Sequence, residues 1–107
     1  MAQQKLFGLL KGEKPVLSDG AMGTLLHDRG ISFEKCFDEL NLTNPAIVAE
    51  IHKTYIDAGS QIILTNTFGA NRYKLSRHGL EGSIKEINNA AVDLARRVVS
   101  ASFKQVL

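Results

Sequence analysis

Asp19-Gly20-Ala21-Met22-Gly23-Thr24 sets a carboxylate, two glycines and a hydroxyl between an apolar stretch and the start of a helix. Gly20 lets the backbone turn without a Cβ clash, and Gly23 allows a ligand close to the main chain. Free N–H groups in a first helical turn favour a carboxylate or a phosphate. Asp19 supplies the opposite charge, able to hold an ammonium group or accept a hydrogen bond. An anion cradle beside a carboxylate suits a zwitterion, which means an amino acid. The candidate binding residues here are Asp19, Gly20, Ala21, Gly23 and Thr24. The same run also makes a plain βα turn in which Asp19 is only a cap.

A second polar run, Thr65-Asn66-Thr67-Phe68-Gly69-Ala70-Asn71, ends an apolar stretch. The hydroxyl and amide groups of Thr65, Asn66 and Thr67 can orient a ligand or stand behind a metal. They can equally cap the end of a strand and its turn. Both runs fall where a strand hands over to a helix, so both face one rim, the rim at which barrels and open parallel sheets bind ligands.

The remaining reactive side chains offer less. Cys36 lies in EKCFDEL, away from both runs, and reads as a buried structural thiol with no base beside it. His27, His52 and His78 are 25 and 26 residues apart, without a short metal-binding spacing. One cysteine and three scattered histidines make no tetrahedral thiolate-rich site. No residue of the chain is assigned as catalytic or as a metal ligand. Lys74 with Arg77, and Arg96 with Arg97, read as solvated faces.

The elements that must position these residues follow from pattern. Residues 15–19 form a short apolar strand into the first turn. A helix runs from Gly23 or Thr24 to about Arg29 and stops at Gly30. Residues 31–44 are irregular, with a helical turn at Phe33–Leu40. Thr43 or Asn44 caps the next helix, Pro45 suits its first position, and Gly59 ends it. Ile47, Val48, Ile51 and Tyr55 share one face of that helix. QIILTNTF, residues 61–68, is the pattern of a strand buried on both faces. A short helix fits Ala70–Ser76. Ser83 and Glu86 form a capping box. The helix from 84 to about 101 buries Ile84, Ile87, Ala91, Leu94, Ala95 and Val98. Phe103–Leu107 reads as the approach to a further strand, and residues 1–14 as a leading helix or arm with Leu6, Phe7, Leu9 and Leu10 on its apolar side.

Alternating strands and helices imply an α/β fold with parallel strands and right-handed crossovers. A (β/α)8 TIM barrel takes roughly 250 residues. The 107 residues are therefore expected to be its N-terminal βα units, an incomplete barrel with open sheet edges through which copies could self-associate. Apolar residues make up 44% of the sequence and charged residues 22%, ordinary for a globular protein. The net charge of +2 comes from interspersed charges and gives no support to a nucleic-acid or membrane-surface role. No apolar run approaches the roughly 20 residues of a membrane span. MAQQKLFGLLKGEK lacks the long apolar core and cleavage site of a secretory signal. A single cysteine excludes an internal disulfide and fits a reducing, cytoplasmic location.

LSDGAMGTLL followed by CFDELNLTNPAIVAEIHKTYIDAGSQIILTNTFGANRYKLSRHGL resembles the N-terminal part of the homocysteine S-methyltransferase family. The likeness runs from about residue 15 to residue 100. It is equally close to the homocysteine-binding modules of the cobalamin-dependent methionine synthase branch and of the branch fused to a methylenetetrahydrofolate reductase. The resemblance implies a (β/α)8 barrel of which residues 15–107 are the first part. It implies zinc, held by three cysteines on later strands, binding the sulfur of homocysteine as a thiolate that attacks an activated methyl group. Asp19–Thr24 would hold the amino-acid end of homocysteine, and Thr65–Phe68 would line the pocket near the metal. Gly69 stands where betaine-using relatives carry tyrosine, and Gly23 where S-methylmethionine-using relatives differ. Both point to a folate-linked methyl donor, with cobalamin or folate met through other domains. Cys36 matches none of the three zinc positions, so these residues alone are expected to be inactive. Two other readings remain at this point: a small non-catalytic module that binds an amino acid or anion, and a self-associating structural fragment.

Overall fold

A computed structural model describes residues 2–102. The helices, in chain order, are α1 (Ala2–Leu10), α2 (Gly23–Asp28), α3 (Leu40–Thr43), α4 (Pro45–Asp57), α5 (Arg72–Ser76) and α6 (Ile84–Ala101), with a 3-10 turn at Glu81–Ser83 before α6. The expected approach to a further strand at 103–107 lies outside the described residues.

The two expected strands are not formed as strands. Among the described residues, 15–19 and 61–68 share one isolated parallel bridge, Ser18 with Ile62. Asp19 N–H donates to the Ile62 carbonyl at 2.9 Å, and Gln61 and Ile62 N–H donate to the Leu17 carbonyl at 2.7 and 3.2 Å. The next rung would require Leu64 N–H to reach the Asp19 carbonyl. It donates instead to Asp19 Oδ2 at 3.0 Å. At the other end Leu17 N–H donates to Gln61 Oε1 at 3.3 Å. Side chains therefore take the places of main-chain partners on both sides, and the ladder stops after one rung. The parallel direction expected of a βα arrangement is retained.

Helix boundaries follow local chemistry more closely. Gly30 and Gly59 have φ of 95° and 114° and close α2 and α4, the left-handed position that favours glycine. Pro45 opens α4. Asn44 precedes it without a side-chain cap, contrary to expectation; the Ile47 N–H that such a cap would bind donates instead to the Asn44 carbonyl at 3.3 Å. The capping box at Ser83 and Glu86 is also absent, because the 3-10 turn carries the chain into α6 and Ser83 N–H is already bonded to the Leu80 carbonyl. Asn71 does cap α5, accepting from Lys74 N–H at 3.0 Å. The helical turn expected at Phe33–Leu40 forms later, as α3.

The buried side chains group around α4 and α6. Leu26, Leu40, Val48 and Ile51 pack with Met22, Phe37, Tyr55 and Leu94. Ile56, Ile63 and Ala95 join Val98 and Val99. Ala70, Leu75 and Ile87 join Cys36 and Ile84. The expected inward face of α6 thus contributes to each group, each large aliphatic side chain adding about 1.5–3 kcal/mol on burial. α4 leans against α2, α3 and α6. This framework brings the turn after Ser18 and the segment after Ile63 side by side. On α1, Phe7 and Leu10 remain exposed.

Candidate functional site

Beyond the single bridge the two polar runs open into a cleft of about 630 Å³. Asp19, Gly20, Ala21, Gly23, Thr24, Thr65, Asn66 and Thr67 all line it. The bond from Leu64 N–H to Asp19 Oδ2 ties the two walls together. Ser18 Oγ donates to the other Asp19 oxygen at 3.3 Å. Among the described residues the main-chain N–H groups from Gly20 to Thr24 have no protein acceptor. Residues 20–24 line one wall of the cleft, and Thr65 and Thr67, their hydroxyls 2.9 Å apart, line the other.

The glycines of the first wall also make room for aromatic side chains. Neither Gly20 nor Gly23 has positive φ. A Cβ at Gly20 would stand 3.1 Å from the Tyr55 hydroxyl, and one at Gly23 would stand 3.1 Å from Cε2 of Phe37. Tyr55 needs that room because its hydroxyl donates to the Ala21 carbonyl at 2.6 Å. The turn is therefore shaped by aromatic side chains packed beneath it.

The second wall is held by residues that motif reading passed over. Asn66 Nδ2 donates to the Phe37 carbonyl and to Asn41 Oδ1, both at 3.0 Å. Asn41 Nδ2 donates back to the Asn66 carbonyl at 2.8 Å and, more weakly, to the Ile87 carbonyl at 3.4 Å. Gly69 N–H donates to Asp38 Oδ2 at 3.0 Å. Phe37, Asp38 and Asn41 thus clamp residues 66–69, and the Asn66 amide N–H groups face the protein. The signal available in CFDELN was a pair of short polar side chains three residues apart; it does not say which backbone they meet.

Charge in the cleft is mixed. Lys74 and Arg77, exposed as expected, also line it, as do Lys35 and His78. Lys74 Nζ lies 4.4 Å from the centroid of the exposed Phe68 ring. Burial pushes the Asp38 carboxyl above its ordinary value; the Gly69 N–H and the positive charges of Lys74 and His78 oppose this. Cys36, distant in sequence, also borders the cleft and is half-buried. Burial raises its thiol, against the Glu39 amide, so it is poorly suited to act as a thiolate. No three His, Cys, Asp or Glu side chains among the described residues converge to hold a metal ion. The residues described do not fit a zinc centre. None of the described helices is long and apolar enough to cross a membrane.

His52 on α4 is fully buried, and both ring nitrogens lack a partner among the described residues. Burial pushes its pKa down from 6.5, and the charge of Asp19 opposes this only in part. His27, by contrast, stacks on Phe33 at 3.8 Å between centroids.

A family model described as homocysteine S-methyltransferase matches residues 16–106. The methionine synthases of Mycobacterium leprae (strain TN) and Mycobacterium tuberculosis (strain ATCC 25618 / H37Rv) are 34% and 33% identical to this chain over 92-residue alignments that cover 80% of this chain and 8% of each of theirs. The crystal structure of the homocysteine methyltransferase MmuM from Escherichia coli is similar at 30% identity, with TM-scores of 0.78 for its oxidized form and 0.76 for its metallated form. That match covers 90% of this chain and 34% of the other. The chain spans 8% of the length of the curated relatives it matches.

Proposed function

Since this chain belongs to the homocysteine S-methyltransferase family, we propose that its cleft holds the amino-acid end of homocysteine, in a whole protein that transfers a methyl group to the homocysteine sulfur and forms methionine. One observation carries the reading. Residues 20–24, whose main-chain N–H groups have no protein acceptor among the described residues, line one cleft together with Asp19, Thr65 and Thr67. Such donors suit the substrate carboxylate, Asp19 suits its ammonium group, and Lys35, Lys74 and Arg77 add attraction for the anionic end.

We read residues 15–107 as the first βα units of a (β/α)8 barrel, with residues 1–14 as a leading arm. The zinc and its cysteines belong to the remainder of such a protein, and residues 1–107 alone do not carry the transfer. The methyl donor is folate-linked, with cobalamin or folate carried by other domains. That last point draws its support from the resemblance at Gly23 and Gly69, two positions that Phe37 and Asp38 also crowd. A free thiol at Cys36 suits a reducing, cytoplasmic setting.

The test is saturable homocysteine binding and methionine formation by the full-length protein supplied with a methyl donor. Binding with turnover is expected. Absence of both would overturn the reading.

A further inference from the structure

The Asp38 carboxylate is an unusual group to find against a loop. Asp38 is 8% exposed, and a carboxylate that far from water must be hydrogen-bonded to persist. Its Oδ2 accepts from Gly69 N–H at 3.0 Å. Its Oδ1 stands only 2.8 Å from where a Cβ at position 69 would be, closer than a carbon and an oxygen can approach without one of them moving. Gly69 has no positive φ, so its backbone alone would accept alanine. What position 69 cannot accept is a side chain while Asp38 holds its place. The carboxylate is not free to swing aside, because doing so would leave Gly69 N–H without its acceptor.

The contact sits at the end of the wall that carries Thr65 and Thr67. Ala70 N–H donates to the Thr67 carbonyl at 3.0 Å and Thr67 N–H to the Thr65 carbonyl at 2.9 Å, so a shift at Gly69 passes back along the loop. Upstream, Asn66 is pinned to Phe37 and Asn41. Downstream, two side chains hold the loop's main chain: Asp38 accepts from Gly69 N–H, and Asn88 Nδ2 donates to the Ala70 carbonyl at 3.0 Å. Lys74 flanks the same point, its Cδ 3.6 Å from the place of that Cβ and its Nζ over the Phe68 ring.

We propose that Asp38 is a positioning residue: its carboxylate latches Gly69 N–H, sets the distance between the Thr65–Thr67 hydroxyls and the Gly20–Thr24 amides, and is the reason position 69 is glycine. Its consequence for substrate rests on the homocysteine reading; the latch itself does not. A loop set too far from the opposite wall binds the substrate less well while leaving the reacting groups unchanged, so the effect falls on KM rather than kcat.

The experiment uses the full-length protein and the variants Asp38→Ala, Asp38→Asn, Gly69→Ala and Asp38→Ala/Gly69→Ala. Amide hydrogen exchange at residue 69 is measured without substrate, and homocysteine KM and kcat are measured separately. Asp38→Ala should speed exchange at Gly69 and raise KM about tenfold each, with kcat within about threefold. Asp38→Asn should restore both, since its amide oxygen accepts the same N–H. Gly69→Ala should raise KM in the wild-type background and add nothing in the Asp38→Ala background. If Asp38→Ala does not fold, Asp38→Asn and Gly69→Ala still decide the matter. Equal damage from Asn and Ala, unchanged exchange in Asp38→Ala, or an equal Gly69→Ala effect in both backgrounds overturns the latch. If the wild-type protein neither binds nor methylates homocysteine, the functional reading falls while the exchange data still judge the latch.

Discussion

The side chains of Asn41 and Asn66 bond to each other: Asn66 Nδ2 donates to Asn41 Oδ1 at 3.0 Å, while Asn41 Nδ2 donates to the Asn66 carbonyl at 2.8 Å. Both residues are buried, so water cannot replace a bond that either amide loses. Replacing Asn41 with alanine strips a partner from Asn66 Nδ2 and from the Asn66 and Ile87 carbonyls. We expect a loss of about 2–3 kcal/mol in urea unfolding, and a coupling energy of about 1 kcal/mol or more in the cycle with Asn66→Ala. Additive losses would show that the pair is not a unit.

Asp19 has two tasks that one substitution can separate. Asparagine keeps an oxygen for Leu64 N–H but loses the negative charge. Asp19→Asn should leave unfolding stability within about 0.5 kcal/mol and raise homocysteine KM at least about tenfold, the size of a lost charge-assisted bond. An unchanged KM would remove the ammonium role from Asp19.

Gly23→Val should weaken homocysteine binding by about tenfold through Phe37, whose ring lies 3.1 Å from the new Cβ. The mechanism is displacement of the aromatic floor, and Phe37→Leu should recover part of the loss by making room. Titration of homocysteine into the three proteins reads this directly.

His52 gives stability a pH dependence of definite sign. Its folded pKa lies below 6.5, so as pH falls below that value the unfolded chain takes up a proton that the folded chain refuses. Stability should therefore be level above about pH 7 and decline as pH falls through the window from 6.5 down to the folded value. Asp38 has the opposite sign: its raised folded pKa favours the fold most below 3.8, and that contribution fades as pH rises through the folded value. Urea midpoints against pH for wild type and His52→Leu separate the two. The decline just below 6.5 should be missing from the variant.

Cys36→Ser should leave the zinc content of the full-length protein unchanged and cost about 1 kcal/mol or less, as expected of a small half-buried side chain without metal-ligand neighbours. Metal analysis after dialysis checks it.

The helices were largely legible in the sequence, because their signals are local. Pro45, Gly30 and Gly59 mark boundaries through their own backbone chemistry, and the apolar face of α6 repeats at helical spacing. The placement of Asp19–Thr24 opposite Thr65–Thr67 was legible too, since strand ends followed by helices share a rim. What failed depended on partners distant along the chain. The strand pattern at 61–68 could not reveal that Asp19 would intercept Leu64 N–H. The Ser83 capping box is the local exception, its N–H already taken by the nearby Leu80 carbonyl. Lys74 and Arg77 are exposed, as their solvated pattern implied, but the pattern could not say that they border the cleft. Asp38 and Asn41 were missed because a carboxylate and an amide in an irregular stretch carry no period.

The single rung between Ser18 and Ile62 places an unusual demand on heredity at position 19. The side chain there both ends the pairing of two chain segments and borders the cavity they frame. A mutation is thus judged twice, once by folding and once by recognition, and the alleles passing both trials are fewer than either trial alone would permit. Drift at this codon should be slower than at Thr24, which shares the cavity but carries no comparable tie to the opposite segment.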